Sequence, residues 1–252
     1  MKILVAHASH IGMHRRENQD SLNYVDPEGK RLKKALGCLL MVADGMGGAA
    51  GGKIASEMAV SIIPSVYFQY TVDPLESLKL AFESANTEIF HRSQSDPTLR
   101  GMGTTVTAVA FIDGRYISAH IGDTRLYRLR EHTFERLTAD HSMVAQMVRE
   151  GLIQEEDARH HPHRNVLLRS MGIQENLVVD FQSDRIKTDD LYVLCTDGLH
   201  GLVEDPEIAA LVDENPPDRA CELLVNLAND RGGYDNITVQ IAKIESTGWL
   251  PV

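Results

Sequence analysis

Cysteine is scarce in this chain of 252 residues, which holds only Cys38, Cys195 and Cys221. Three thiols, odd in number and far apart, fit reduced core residues better than a disulfide framework or a zinc site. They also exclude a Cys-x5-Arg phosphatase, because Asp44, Gly201 and Leu227 stand where its arginine would be. Positive charge is short too: 25 Lys and Arg against 36 Asp and Glu leave a net charge of −11, which repels nucleic acid and anionic membrane surfaces at long range. Long hydrophobic runs are missing. Nothing approaches the roughly 20 apolar residues of a membrane helix, and the apolar part of "MKILVAHASH" is too short for a signal-peptide core. A cytoplasmic protein is expected. There is no Ser/Pro/Gly-rich linker, no long run of one charge and no fixed-period repeat, so residues 1–252 read as a single domain.

What is present is a 43% hydrophobic chain, enough to fill one large core. The segments "KILVAHAS", "LGCLLMVA", "TTVTAVAFI", "RYISAHIG", "RLYRLR", "LYVLCT" and "NITVQIAKI" read as strands, rich in branched and aromatic residues. Asp113-Gly114 between two of them predicts a hairpin, and with it antiparallel pairing. Apolar residues recur at helical spacing in Leu75, Leu78, Phe82, Ala85 and Ile89, and in Ala220, Leu223, Leu224, Leu227 and Ala228. Pro74 and Pro217 open those two helices. A third is expected to begin within the glycine loop and run from about Ile54 toward Pro64. Antiparallel strands with grouped helices predict an α+β sandwich.

The stretch "MVADGMGGAAGGKIAS" tempts a nucleotide reading, since Gly47, Gly52 and Lys53 match a phosphate-cradling G-x-x-x-x-G-K. The motif fails at Ile54, where a hydroxyl should meet magnesium. The aspartates are more informative. Asp44 follows "CLLMVA", Asp197 follows "LYVLCT", Asp123 ends "ISAHIG", Asp235 precedes "NITVQIAKI", and Asp20 comes just after the opening strand. Strands lying side by side would bring these carboxylates to one edge, where they repel unless a cation lies between them. An all-oxygen set suits manganese or magnesium. Two such ions can ionise a bridging water and clamp a phosphoryl oxygen, and Gly45 could add its carbonyl. Each aspartate taken alone reads as well as a turn residue.

In chain order, "GMHRRENQDS", "VADGMGG", "GMGTTVTA", "IGDTRLY", "LTADHS", "LLRSMG", "CTDGL" and "GGYDNITV" resemble the successive motifs of the metal-dependent protein phosphatases, the protein phosphatase 2C family in its compact bacterial form. The resemblance implies a four-layer α-β-β-α sandwich, two antiparallel sheets flanked by helix pairs, with two manganese or magnesium ions at one end. It assigns Asp44 as the bridge between them, the Gly45 carbonyl and water to one ion, and Asp197 and Asp235 to the other. Asp20 would hold metal-bound waters, Asp123 a third, weaker ion, and Arg15, in R-x-x-N-x-D, the phosphate. The implied reaction is in-line attack by a metal-bridging hydroxide on phosphoserine or phosphothreonine, with no phosphoenzyme.

The same resemblance implies phosphorylated proteins as substrates, those of a cognate serine/threonine kinase, for a monomer with neither nucleic acid nor membrane as partner. Met46 stands where animal members carry a proton-donating histidine, so the general acid is unassigned, a metal-bound water being first choice. Gln19 replaces a common glutamate. Residues 141–169 resemble the family's flap, in which His160, His161 and His163 read as a solvated loop and Met143, Val144 and Met147 as helix-face packing. The alternative is a catalytically impaired phosphopeptide-binding or regulatory module of the same fold.

Overall fold

The computed structural model describes residues 1–27, 35–47, 51–69 and 73–247. It contains two five-stranded antiparallel sheets. The first holds, in spatial order, β1 (Lys2–His10), β10 (Ile237–Ser246), β9 (Leu191–Cys195), β6 (Arg125–Arg130) and β7 (Thr133–Arg136). In the second lie β2 (Asp20–Val25), β3 (Cys38–Met46), β4 (Gly103–Ile112), β5 (Arg115–Ile121) and β8 (Asp180–Arg185). Helices α1 (Gly51–Tyr67) and α2 (Pro74–Ser95) cover the second sheet, while α6 (Asp205–Glu214) and α7 (Pro217–Asp230) cover the first. The flap carries α3 (Met143–Arg149) and α4 (Glu155–Ala158), and α5 (Asp197–His200) follows β9 directly.

Alternation along the strands builds three apolar layers. On β3, Leu39, Met41 and Ala43 face α1 and α2 with Ile63 and Phe82, whereas Leu40 and Val42 face the other sheet with Leu194 and Ala242. Strand β4 is buried along its whole length because both of its faces are covered. On the far side, Val193, Val239 and Ile241 pack under Ile208 and Leu224. The four-layer α-β-β-α sandwich is therefore observed. All three cysteines are buried free thiols. Burial pushes Cys195 up, and Cys221 up to about 12, which makes them poor nucleophiles.

The hairpin forms at Asp113-Gly114, both with positive φ (52° and 74°), as a two-residue primed turn requires. Helix α2 begins at Pro74 with the Asp73 carboxylate accepting from the Leu75 and Glu76 amides. The glycine-loop helix starts at Gly51, within the loop as expected, but continues past Pro64 to Tyr67. Proline cannot donate to the carbonyl four residues earlier. That carbonyl, on Val60, accepts from Asn23 Nδ2 at 2.8 Å instead, so strand β2 supplies the bond the helix lacks. Residues 48–50 of the glycine loop lie outside the described residues.

Strands β2, β7 and β8 were not expected from the sequence pattern. Strand β8, "DFQSDR", is an exposed edge strand that carries almost no apolar signal, and β7 has only four residues. No helix among the described residues is long and apolar enough to cross a membrane.

Candidate active site

The layer between the sheets changes character along its length. Rows that are apolar in the middle of the sandwich continue, with the same two-residue period, into Asp44 on β3, Asp20 on β2, Thr105 and Thr107 on β4, Thr238 on β10 and Thr196 after β9. Asp20 and Asp44 are direct register partners on neighbouring strands. Asp20 thus opens a strand of its own rather than trailing the first, and Asp44 sits inside β3, which runs on to Met46. Asp197 begins α5, Asp235 lies two residues before β10, and Asp123 occupies the short crossover from β5 to β6. A cleft of about 790 Å³ opens from this end, lined by Asp123, Asp197 and Asp235 and bounded on one side by the flap.

Backbone contacts of unusual closeness hold the carboxylates. A β-carbon on Gly45 would strike the Gly52 carbonyl, and one on Gly198 the Asn236 carbonyl, so a residue with a side chain fits after neither Asp44 nor Asp197. Thr104 Oγ1 donates to the Asp44 carbonyl at 2.8 Å, and Thr196 Oγ1 donates to Asp20 Oδ2 at 2.8 Å. Asn236 pins the loop before β2: its Oδ1 accepts from Gln19 N at 2.8 Å, while its Nδ2 donates to the Ile11 and Glu17 carbonyls at 2.8 and 3.0 Å. That loop carries Arg15, whose Nη2 donates to Asp235 Oδ2 at 2.6 Å. His200, buried in α5, donates from Nε2 to the Asp123 carbonyl at 2.9 Å.

The electrostatics are those of like charges crowded out of water. Burial raises Asp44 well above the usual carboxylate range, helped by Asp20, Asp197, Asp123 and Asp235. Burial pushes Asp20 up to about 7 against the hydroxyls of Thr238 and Thr196. Asp197 rises to about 6 through burial and Asp235, although Asp44 hydrogen-bonds it and Arg15 lies near. Asp123 is likewise raised well above its ordinary value, by burial and then by Asp197 and Asp140. Burial opposes the charge on Arg15, yet the bond and charge of Asp235 outweigh it and raise the guanidinium.

These residues fit a divalent cation. Every donor is an oxygen, and the buried Asp20 Oδ1 and Asp197 Oδ1 have no hydrogen-bond partner, which is costly unless something positive meets them. Among the described residues no three His, Cys, Asp or Glu side chains already close on one point as a cage. Part of the reason is visible: Asp20 leans on Thr196 and Asp235 on Arg15.

Other expected features stand apart from the carboxylates, although His160 and Val144 line the same cleft. His160 and His163 are exposed flap residues. Val144 is buried, whereas Met143 and Met147 are only partly covered. Lys53 pairs with Glu17 at 3.4 Å. Asn236, Thr196 and His200 had no role assigned from sequence. The strand parity that continues into Thr196, and the side chain next to Asp235, were the available signals.

Buried carboxylates beside an arginine at the open end of a double-sheet sandwich place the molecule in the class of sandwich phosphatases. The family model described as Protein phosphatase 2C matches residues 8–243. The protein phosphatase PhpP of Streptococcus pneumoniae is 35% identical over 241 residues, covering 93% of this chain and 94% of that one. The serine/threonine phosphatase PstP/Ppp of Mycobacterium tuberculosis superposes with a TM-score of 0.85 at 32% identity, covering 97% of this chain and 99% of that one. A structure of the PstP catalytic domain in complex with 2 manganese ions gives a TM-score of 0.85 at 30% identity, over 97% and 99% of the two chains. The chain belongs to the protein phosphatase 2C family, and it is a serine/threonine phosphoprotein phosphatase.

Proposed function

We propose that the chain is one catalytic domain that hydrolyses phosphoserine and phosphothreonine at the inter-sheet cleft, with two manganese or magnesium ions held by its carboxylates. The observation that carries this is the set of closely grouped, mutually repelling aspartates, one of them bonded to Arg15. Asp44 is hydrogen-bonded to Asp197 and is the register partner of Asp20, and on this reading it would be the ligand shared by the two ions. The Gly45 carbonyl would add to one ion, Asp197 and Asp235 would hold the other, and Asp20 would reach its ion through water. Asp123, which lines the same cleft, would be the ligand for a weaker third ion. Bound cations of this kind supply an ionised water as nucleophile and neutralise charge on the phosphoryl oxygens.

The protein's own contribution is placement. Arg15, swung from Asp235, presents a planar fork that suits two phosphate oxygens, and Asn236 fixes the loop that carries it. Asp20 and Asp197 each keep one carboxylate oxygen out of contact with solvent, where charge interactions are stronger than in water. Met46 offers no proton at the glycine loop, so the leaving oxygen takes its proton from water. The substrates would be the phosphorylated products of a serine/threonine kinase. Phosphate release from a phosphothreonine peptide tests the reading. Manganese should support it, chelator should stop it, and Asp44→Asn should abolish it; full activity in Asp44→Asn would remove the bridging role.

A further inference from the structure

At the mouth of the cleft the chain exposes apolar surface that folding alone does not require. Met13 is 65% exposed and Tyr234 is 62% exposed. They flank the phosphate-site residues in sequence, Met13 two positions before Arg15 and Tyr234 immediately before Asp235. Scattered exposed hydrophobics are ordinary on a protein surface. This group differs because it is held in place. The Tyr234 ring stacks on His14, with centroids 5.2 Å apart and planes at 28°. It lies against Gly232, where a β-carbon would come within 2.6 Å of the ring. Met13 donates its amide to the Gly233 carbonyl at 2.7 Å, and its side chain occupies the space a β-carbon on Gly233 would need. Two adjacent glycines at positive φ (121° and 53°) thus make room for an ordered apolar ledge.

The ledge meets the reaction centre through Tyr234. Tyr234 lines the same cleft as Asp197 and Asp235, and the peptide unit that follows it leads to the carboxylate holding Arg15. A phosphorylated residue gripped by Arg15 would lay a neighbouring side chain across it. We propose that Met13, His14 and Tyr234 form a specificity subsite for a bulky apolar side chain flanking the phosphorylated residue. This deepens the phosphatase reading and rests on it. Apolar rather than cationic chemistry follows from the surface offered, a thioether and two stacked rings. Asp235, the carboxylate that follows Tyr234 in the chain, is already paired with Arg15. An ordered aromatic gives large contact area with little rotamer entropy to lose.

The test compares two manganese-supported substrates, a phosphothreonine peptide with leucine on both sides and the same peptide with glycine on both sides. The wild-type protein should favour the leucine peptide in kcat/KM by about tenfold, the discrimination expected for filling an apolar subsite. Tyr234→Ala should bring the ratio close to one, His14→Ala should lower it in the same direction, and Tyr234→Phe should keep it, since the ring rather than the hydroxyl is used. His14 is exposed, so its variant does not depend on a refolded core. Equal wild-type rates on the two peptides, or a ratio unchanged in both alanine variants, would overturn the subsite while leaving the phosphatase reading intact. Failure to hydrolyse either peptide would overturn both.

Discussion

Arg15 and Arg16 are adjacent, and only geometry separates them. Arg15 is bonded to Asp235 at the cleft, and both arginines are exposed. Removing a phosphate-gripping donor from a site of this kind costs about 10²-fold in turnover. Arg15→Ala should therefore lose about that factor in kcat/KM on a phosphothreonine peptide, with Arg16→Ala within a few-fold of wild type; steady-state kinetics on both variants checks it. At this scale the aspartates are legible only together: Asp44 and Asp197 each follow an apolar strand run, but each aspartate taken alone reads as well as a turn residue. Asn236 was not legible in that way. Its work is to accept one amide and satisfy two carbonyls on a loop far away in sequence, and a side chain that serves distant backbone leaves no local pattern. His200 was hidden for the same reason: its partner, the Asp123 carbonyl, is 77 residues away.

Among the elements, the bond between β2 and α1 carries its own prediction. Asn23→Ala would strand the Val60 carbonyl that Pro64 cannot serve. Leaving a buried acceptor unpaired costs about 1–3 kcal/mol, and denaturant unfolding should show a loss in that range. A second change, Pro64→Ala, would restore the helical donor, so the double variant should recover part of the loss. Strands with a covered face were readable because hydrophobic alternation encodes which side is buried. The edge strand β8 was unreadable because only Phe181 of its six residues is partly covered, and periodicity records burial rather than hydrogen bonding. Helix α1 was read too short for a related reason: proline signals an end unless a partner elsewhere satisfies the freed carbonyl, and that partner is tertiary.

For the molecule as a whole, the carboxylate centre links stability to pH. Without a bound cation, Asp20 and Asp197 carry folded pKa values of about 7 and about 6 against the ordinary 3.8. The native state thus holds protons that the unfolded chain releases. The stability these groups contribute is fully present below 3.8 and is lost as pH rises through about 6 to 7. Thermal melts in chelator should show this loss beginning just above pH 3.8 and complete near pH 7, and Asp20→Asn should flatten the slope because the amide has no proton to release. Manganese should raise Tm most at the upper end of the window, where its ligands are deprotonated and it competes with fewer protons.

The crossover between β5 and β6 has a further consequence. Gly122, Asp123 and Thr124 are the whole of that passage from one sheet to the other, and Asp123 O and Gly122 N are bound by His200 and His141. The flap, by contrast, leaves and rejoins the body through the Ser142–Leu167 bridge. Insertions there can change which proteins reach the cleft without moving a carboxylate. An insertion in the crossover would shift the spacing of the sheets and the reacting centre together, so diversification of this architecture has its freedom at the flap and almost none at Asp123.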